Sequence, residues 1–255
     1  CMRQYSFSDA SIFLTIEQLE KVLKESVELE ELFMNKLGLN VEFRISNWND
    51  KQKEEYIGTI KEWDTCINAM KKVLTEKNIN FIENNDAKMY GPSIQVFYNG
   101  KLLAKIEIDF EITHRFDLKY TDKDGLEKFP LYIHRQDLGS YESMLAILIE
   151  KYQGEFPTWL APVQCMIIPE LDEYIDYANQ MKENLRERRV RVSVDFTDKS
   201  VEEKLKKAKL FKIPYIVLIG KKEYNNNEIL VIRYGKEEPK KYTMEEVIEK
   251  FERRK

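Results

Sequence analysis

In KLLAKIEIDF, at residues 101–110, Lys105, Glu107 and Asp109 fall at alternate positions. In a strand that spacing lines them along one face, while Leu102, Ala104, Ile106, Ile108 and Phe110 line the other. The apolar row goes to a core. The charged row is a solvated face by default, and a ligand site if other polar groups converge on it. His134, in LYIHR, stands alone. One neutral imidazole does not hold a metal usefully, and a histidine ending a strand is ordinarily a hydrogen-bonded core residue. Lys204, Lys206, Lys207, Lys209 and Lys212 spread along one helical segment and its exit. Such a row is a solvated face or, beside RNA, a set of phosphate contacts. Cys1, Cys66 and Cys165 are odd in number and far apart. They make no disulfide framework and fit a reducing cytoplasm.

The elements that must position these residues divide the chain in two. Its 255 residues are long for one domain and comfortable for two. No window approaches a membrane span, no signal peptide heads the chain, and Cys1 rather than Met reads as the start of a fragment. Residues 161–255 hold 21 Lys+Arg against 18 Asp+Glu, net +3, and residues 1–160 hold 20 against 27, net −7. That asymmetry allows a nucleic-acid partner for the C-terminal part without demanding one.

Residues 15–37 read as a helix: Ile16, Leu19, Leu23, Val27 and Phe33 recur at helical spacing, Thr15 and Gln18 make a capping box, and Gly38 suits the C-terminus. VEFRIS reads as a strand, residues 49–60 as a polar loop, and Trp63, Ile67, Met70 and Leu74 as a second helix. SIQVFY and KLLAKIEIDF flank Asn99-Gly100, a strong hairpin signal. LYIHR is a further strand and Ser140 opens a helix. The first part is therefore α+β, antiparallel strands with flanking helices. Beyond it, VQCMIIP, VRVSVD, IPYIVLIG and ILVIRY alternate with helices at 172–188 and 200–210, and Thr243 with Glu246 caps a last helix at 243–253. That is a small α/β domain with a mixed, largely parallel sheet. The nearly uncharged YQGEFPTWLAPVQCMIIP, at 152–169, marks the hinge between the two, with the boundary near Trp159–Pro162.

This order resembles the class II aminoacyl-tRNA synthetases and, within them, the threonyl-tRNA synthetases. DASIFLTIEQ at 9–18, YIGTIKEWD at 56–64, YGPSI at 90–94, EIDF at 107–110, FPLYIHRQDLGSYES at 129–143, FPTWLAPVQ at 156–164 and KIPYIVLIGKKE at 212–223 fall in family order. The resemblance implies a partial class II synthetase catalytic domain over 1–160 and an anticodon-binding domain over 161–255. It implies ATP-dependent ligation of threonine to tRNA, with ATP, magnesium and zinc as the family's cofactors.

The resemblance also implies where that chemistry belongs, and there the chain departs. Adenylation needs cations to neutralise triphosphate and departing pyrophosphate. The family's catalytic arginine falls on Ser143 and its YGP lysine on Ser93. The arginine of an S-T-R-P segment has no counterpart in Ser46-Asn47-Trp48-Asn49, and Arg3 matches one motif-two arginine. The zinc histidines fall on Ser11 and His134, and the zinc cysteine lies upstream of the chain. Asp9, Tyr90, Glu107, His134, Gly139 and Ser140 keep family positions of the substrate pocket, Asp109 is a further retained position, and Arg3, Tyr90 and Glu142 are retained among the catalytic ones. Asp9 also suits a cap on the turn before the helix at 15, and Gly139 a tight strand–helix turn.

In the second part, Glu223 and Arg233 fall on positions that contact anticodon bases, and a family asparagine falls on Asp198. Glu223 and Arg233 also read as an ordinary exposed pair on neighbouring strands. Lys204 and Lys206 would then contact phosphates. The expectation is a degenerate or truncated threonyl-type protein that binds tRNA or a partner, takes up no cofactor and does not activate threonine. The alternatives are the C-terminal portion of an active ligase, and a non-catalytic regulatory or scaffold subunit that forms a homodimer or joins a synthetase partner.

Overall fold

The computed structural model describes residues 3–226, 229–235, 238–243, 245–247 and 249 and, of residues 50, 52, 53, 222, 223 and 226, the backbone alone. Contacts divide the chain into two compact units, Cys1–Ala146 and Ile147–Lys255.

The first unit runs β1 (Phe7–Leu14), α1 (Leu19–Lys36), β2 (Glu42–Ser46), α2 (Ile60–Glu76), β3 (Phe81–Asn84), β4 (Ser93–Tyr98), β5 (Lys101–Asp109), α3 (Ile112–Arg115), β6 (Tyr120–Thr121), β7 (Glu127–Lys128) and β8 (Leu131–Ser140), then enters α4 (Tyr141–Tyr152). Six strands form one sheet in the order β1-β8-β5-β4-β2-β3. Every neighbouring pair is antiparallel except β2 with β3. The local signals explain the elements. The Thr15/Gln18 box opens a short 3-10 turn that runs into α1, and a Thr59/Glu62 box starts α2. Asn99 and Gly100 both take positive φ, at 49° and 76°, as a primed hairpin turn requires. The segment read as a loop over 49–60 contains a 3-10 turn, Asp50–Glu55.

α1 and α2 pack on each other and cover one sheet face. Leu19, Leu23, Val27, Trp63, Met70 and Leu74 close over Ile45, Ile94, Ile106, Ile108 and Ile133, all essentially without solvent contact. Burying each such side chain stabilises the fold by roughly 1.5–3 kcal/mol before entropy is counted. One expected core residue is out of place. Leu102 is exposed and Leu103 is buried instead. The β4–β5 ladder pairs Val96 with Ala104 but Phe97 with Leu102, so a bulge at Leu103 reverses the alternation there.

The second unit holds β9 (Cys165–Pro169), α5 (Ile175–Glu187), β10 (Val192–Val194), α6 (Val201–Leu210), β11 (Tyr215–Ile219), α7 (Lys221–Asn226), β12 (Ile229–Arg233) and β13 (Lys240–Tyr242). The sheet order is β10-β9-β11-β12-β13, parallel over the first three strands and antiparallel over the last two. Both faces are buried. Cys165, Ile167, Val217, Ile219, Ile229 and Val231 meet α5 on one side. Met166, Ile168, Ile216 and Ile232 meet Ala208 of α6 and Ile213 on the other. Burial pushes the Cys165 thiol up to about 12. Thr243 and Glu246 exchange the expected capping bonds, at 2.9 and 3.3 Å, while much of the helix anticipated to 253 lies outside the described residues.

The FPTWLAP segment is fastened to this unit. Gln164 donates to the Thr158 carbonyl at 2.9 Å and accepts from the Arg191 backbone at 2.9 Å. The Arg191 guanidinium donates to the carbonyls of Ala161 at 2.9 Å and Trp159 at 2.6 Å. Lys212 donates to the Gln153 carbonyl at 2.6 Å. The segment is thereby fixed by the buried Gln164, the half-buried Lys212 and the exposed Arg191, and the division between units falls inside α4. Among the described residues no helix is long and apolar enough to cross a membrane.

Candidate functional site

The face of the six-stranded sheet opposite α1 and α2 is polar across most of its width. Residues paired across strands share a face, so the ladder itself identifies them. Asp9 and Ser11 of β1, His134 and Gln136 of β8, Lys105 and Glu107 of β5, Ser93 and Gln95 of β4, and Arg44 and Ser46 of β2 form one continuous polar row. Of the positions expected in a substrate pocket, Asp9, Glu107 and His134 share this surface, although the sequence scatters them over more than a hundred residues. The β1 strand responsible was not legible in the sequence.

Ser11 sits directly across from His134, and its hydroxyl is 2.8 Å from the Tyr132 hydroxyl. His134 Nε2 lies 3.4 Å from Asp9 Oδ2, and both side chains are partly exposed. His134 is thus mid-strand and open to the polar face, not a core histidine, and Asp9 faces it from β1, so it caps no helix. The donors assembled here are one imidazole, one carboxylate and a serine hydroxyl already engaged by Tyr132. They do not fit zinc, which takes nitrogen, sulfur or several anionic ligands. Among the described residues no three His, Cys, Asp or Glu side chains converge to hold a metal.

Deeper on the face, Glu107 is buried and accepts from Lys105 Nζ at 2.5 Å and from the Tyr90 hydroxyl at 3.3 Å. Burial and the Glu107 carboxylate push the Tyr90 phenol up to about 12. Ser93, also buried, accepts from Gln95 at 3.3 Å. Arg44 is paired with Glu42 and lies 4.0 Å over the Phe97 ring. The two permanent cations of this row, Arg44 and Lys105, thus each rest on a carboxylate. Asp109 is committed to the backbone, accepting from Glu111 at 2.7 Å and Ile112 at 3.0 Å.

At the end of β8, Ser140 caps α4. Its hydroxyl accepts from the Ser143 backbone at 3.1 Å and donates to the Ser143 hydroxyl at 2.8 Å. Glu142 accepts from the Ser6 backbone at 3.0 and 3.2 Å. Gly139 has φ +59, and a Cβ there would stand 3.2 Å from the Leu103 carbonyl. Gly91 is tighter: a Cβ would fall 1.9 Å from the Ile108 carbonyl, so only glycine lets the Tyr90–Pro92 turn lie against β5. Arg3 is exposed ahead of β1.

In the second unit, Arg233 is exposed at the end of β12. Glu223 belongs to α7 and not to a strand, and its side chain lies outside the described residues. Asp198 is exposed in the β10–α6 turn. The lysine row is not uniform. Lys204 is 7% exposed on the inner face of α6. Lys207 donates to the buried Asp195 carboxylate at 3.1 Å, and the Thr197 and Lys207 donors hold that carboxyl below its usual range despite burial. Only Lys206 and Lys209 of the row stand exposed with no ion-pair partner among the described residues. The row was expected on a single face. The helix turns Lys204 inward because it falls four residues before Ala208, on the stripe that meets the sheet.

Such a sheet followed by a mixed α/β unit is the arrangement of the class II aminoacyl-tRNA synthetases. Residues 164–254 match the anticodon binding domain family. The threonine–tRNA ligase of Clostridium perfringens (strain 13) is 41% identical over 238 residues, covering 90% of this chain and 37% of that protein. The Oceanobacillus iheyensis enzyme is 34% identical over 245 residues, covering 93% of this chain and 38% of its own length. The RNA-binding domain of a threonyl-tRNA synthetase from Cryptosporidium parvum superposes with a TM-score of 0.88 at 26% identity, over 99% of this chain and 64% of that one. A Staphylococcus aureus histidyl-tRNA synthetase shares the fold, with a TM-score of 0.55 at 16% identity. The chain belongs to the threonyl-tRNA synthetase family, in its C-terminal region, and spans little more than a third of the length of the curated relatives.

Proposed function

We propose that this chain is a threonyl-type tRNA-binding protein that does not itself activate threonine, with residues 1–160 retaining the shape of a synthetase sheet and 161–255 engaging a threonine-type tRNA. The observation that carries this is the state of the polar sheet face. Serines stand at 11, 93 and 143, and Arg44 and Lys105 are already neutralised by Glu42 and Glu107. A triphosphate arriving there would meet no uncommitted cation among these groups. Loss of a single donor to transition-state charge costs about 2.7–4 kcal/mol, and several such losses compound without adding strictly.

One preparation decides it. Threonine-dependent ATP–pyrophosphate exchange is measured beside tRNA binding at low salt. Binding without exchange is the expected result. Exchange at the rate of an ordinary synthetase would sink the reading, and absence of both would favour a scaffold or regulatory subunit.

A second reading, the C-terminal portion of an active threonine–tRNA ligase, is favoured by the 37% span of the relatives. An upstream segment can contribute a zinc-ligand cysteine, but it cannot replace Ser11, Ser93 or Ser143. Joining such a segment to the chain and restoring exchange would establish that reading.

A further inference from the structure

The first unit carries a cavity that none of the polar row lines. It encloses about 890 Å³ where β5 stops and β8 begins, a size that takes a small ligand. Ile57, Phe110, Phe129 and Leu131 make an apolar wall. Two carboxylates line the cavity as well, and each is held by a cap. Thr59 donates to Glu62 Oε2 from its backbone at 2.7 Å and from its hydroxyl at 2.8 Å, which closes the box that starts α2. Gly58, at φ +90, lets that cap lie against the wall: a Cβ there would stand 3.0 Å from the Phe110 ring. Asp109 Oδ1 takes the amides of Glu111 and Ile112 at the start of α3. Each cap uses one oxygen only. Glu62 Oε1 and Asp109 Oδ2 have no hydrogen-bond partner among the described residues, and neither carboxylate has an ion pair there. The lining cations are engaged by other carboxylates. Arg115 pairs with Glu111 at 3.4 Å, and Lys128 with Asp122 and Asp124. The His114 ring lies against Phe129, with centroids 3.9 Å apart. The cavity therefore presents two fixed negative charges beside an apolar wall, and no uncommitted Lys or Arg lines it.

Such a cavity repels phosphates and carboxylates and suits a cation. An ammonium gives up its water only where carboxylate oxygens replace it, and an apolar body attached to it gains by covering the wall. The α2 N-terminus carries positive partial charge, but Glu62 Oε2 already answers it, which leaves Oε1 to a ligand. A bare metal ion fits less well, because among the described residues no three His, Cys, Asp or Glu side chains converge to hold one. We propose that this cavity binds a small organic ammonium compound, with Glu62 and Asp109 holding the ammonium and Phe110 and Phe129 carrying the apolar body. The site is separate from the polar row of the sheet and does not depend on whether the second unit binds tRNA.

The test uses the full chain and two aromatic probes of similar size and opposite charge, phenethylammonium and phenylacetate, titrated by NMR at fixed low salt. Phenethylammonium should bind about tenfold more tightly than phenylacetate, and Glu62→Gln and Asp109→Asn should each weaken it about fivefold, the upper end for partly exposed ion pairs. Both amides keep the oxygen that caps the following helix, so an unchanged melting temperature shows that the fold stands. A second measurement needs no variant. In the unaltered chain phenethylammonium should shift the amide resonances of Gly58, Thr59 and Phe110 and leave those of His134 and Gln136 in place. If phenylacetate binds as tightly, if the amide variants leave phenethylammonium binding unchanged, if the shifts fall on His134 and Gln136 instead, or if phenethylammonium does not bind, the assignment fails. The tRNA reading is measured separately and survives that failure.

Discussion

Ser11 and His134 lie directly opposite each other in the β1–β8 ladder, with the Ser11 hydroxyl turned to Tyr132 at 2.8 Å and the His134 ring to Asp9 at 3.4 Å. The strand pairing thus places these two side chains where a pair of metal ligands could stand, but only one of them is an imidazole. The chain as purified should contain no stoichiometric zinc by metal analysis. Ser11→His, which sets two imidazoles across one pair of strands beside Asp9, should raise zinc uptake measurably. Stoichiometric zinc in the unaltered chain, lost on His134→Ala, would contradict this account.

The sheet's other face holds a second polar group in an unexpected place. Glu30 of α1 is fully buried against Arg135 and Asp137 of β8. The Glu30 carboxyl makes no well-aligned hydrogen bond, its one polar contact being the Asp137 carboxylate, to which the protonated form can donate; Arg135 Nε lies 2.7 Å from Asp137 Oδ1. Burial first, and then the Asp137 carboxylate, push Glu30 up to about 9, with Arg135 opposing. A carboxyl with a folded pKa above its unfolded one binds more protons in the folded state between the two values. Stability should therefore fall as pH rises from about 4.5 to about 9, and level off above that. Glu30→Leu should stabilise the first unit by about 1–3 kcal/mol near neutral pH, the cost of a buried unsatisfied polar group, and flatten the decline. Urea denaturation at several pH values measures both. An unaltered chain whose stability is flat across that range, or a leucine variant that is less stable at pH 9, would refute it.

Much of the scaffold was legible in the sequence because its signals are local. The Asn99-Gly100 hairpin, the Thr15/Gln18 box and the continuous apolar runs around Cys165 and Tyr215 each depend on a few neighbouring residues. The missed features depend on distant partners. β1 alternates Phe7, Asp9, Ser11 and Phe13 with Ser8, Ala10 and Ile12, so neither row is wholly apolar and no period stands out. Its identity as a strand comes from pairing with β8. The bulge at Leu103 is a fact of pairing with β4. The polar sheet face was visible on β5 alone, and its neutral balance emerged only when Glu42, Arg44, Lys105 and Glu107 could be located together.

The FPTWLAP segment illustrates the same point and is open to direct test. Gln164 is 9% exposed and serves two partners, the Thr158 carbonyl and the Arg191 amide. Gln164→Leu keeps the volume and removes both bonds, leaving a donor and an acceptor unmatched. The second unit should lose about 1–3 kcal/mol, and amide exchange at 157–162 should accelerate. Gln164→Glu keeps the acceptor and should lose less. Exchange rates unchanged in the leucine variant would show that the segment is held by something other than these bonds.

The lysines of α6 should separate by burial. Lys206 and Lys209 are exposed, whereas Lys204 is buried and Lys207 is held by Asp195. If the second unit binds tRNA, Lys206→Ala and Lys209→Ala should each weaken binding to all tRNAs alike and lower the slope of log K against log salt by roughly one phosphate's worth, ~0.7–0.9. The fold should be unaffected. Lys204→Ala should do the opposite: its buried stem covers apolar surface, so its loss should lower thermal stability with little change in salt slope. Arg233→Ala should differ from all of these, relaxing discrimination among tRNAs by about 1–3 kcal/mol and barely moving the slope. Titrations of the four variants against two tRNAs at three salt concentrations resolve the three patterns. Equal slopes in all four, with stability lost only in Lys206→Ala or Lys209→Ala, would reverse the assignment of which lysines face RNA.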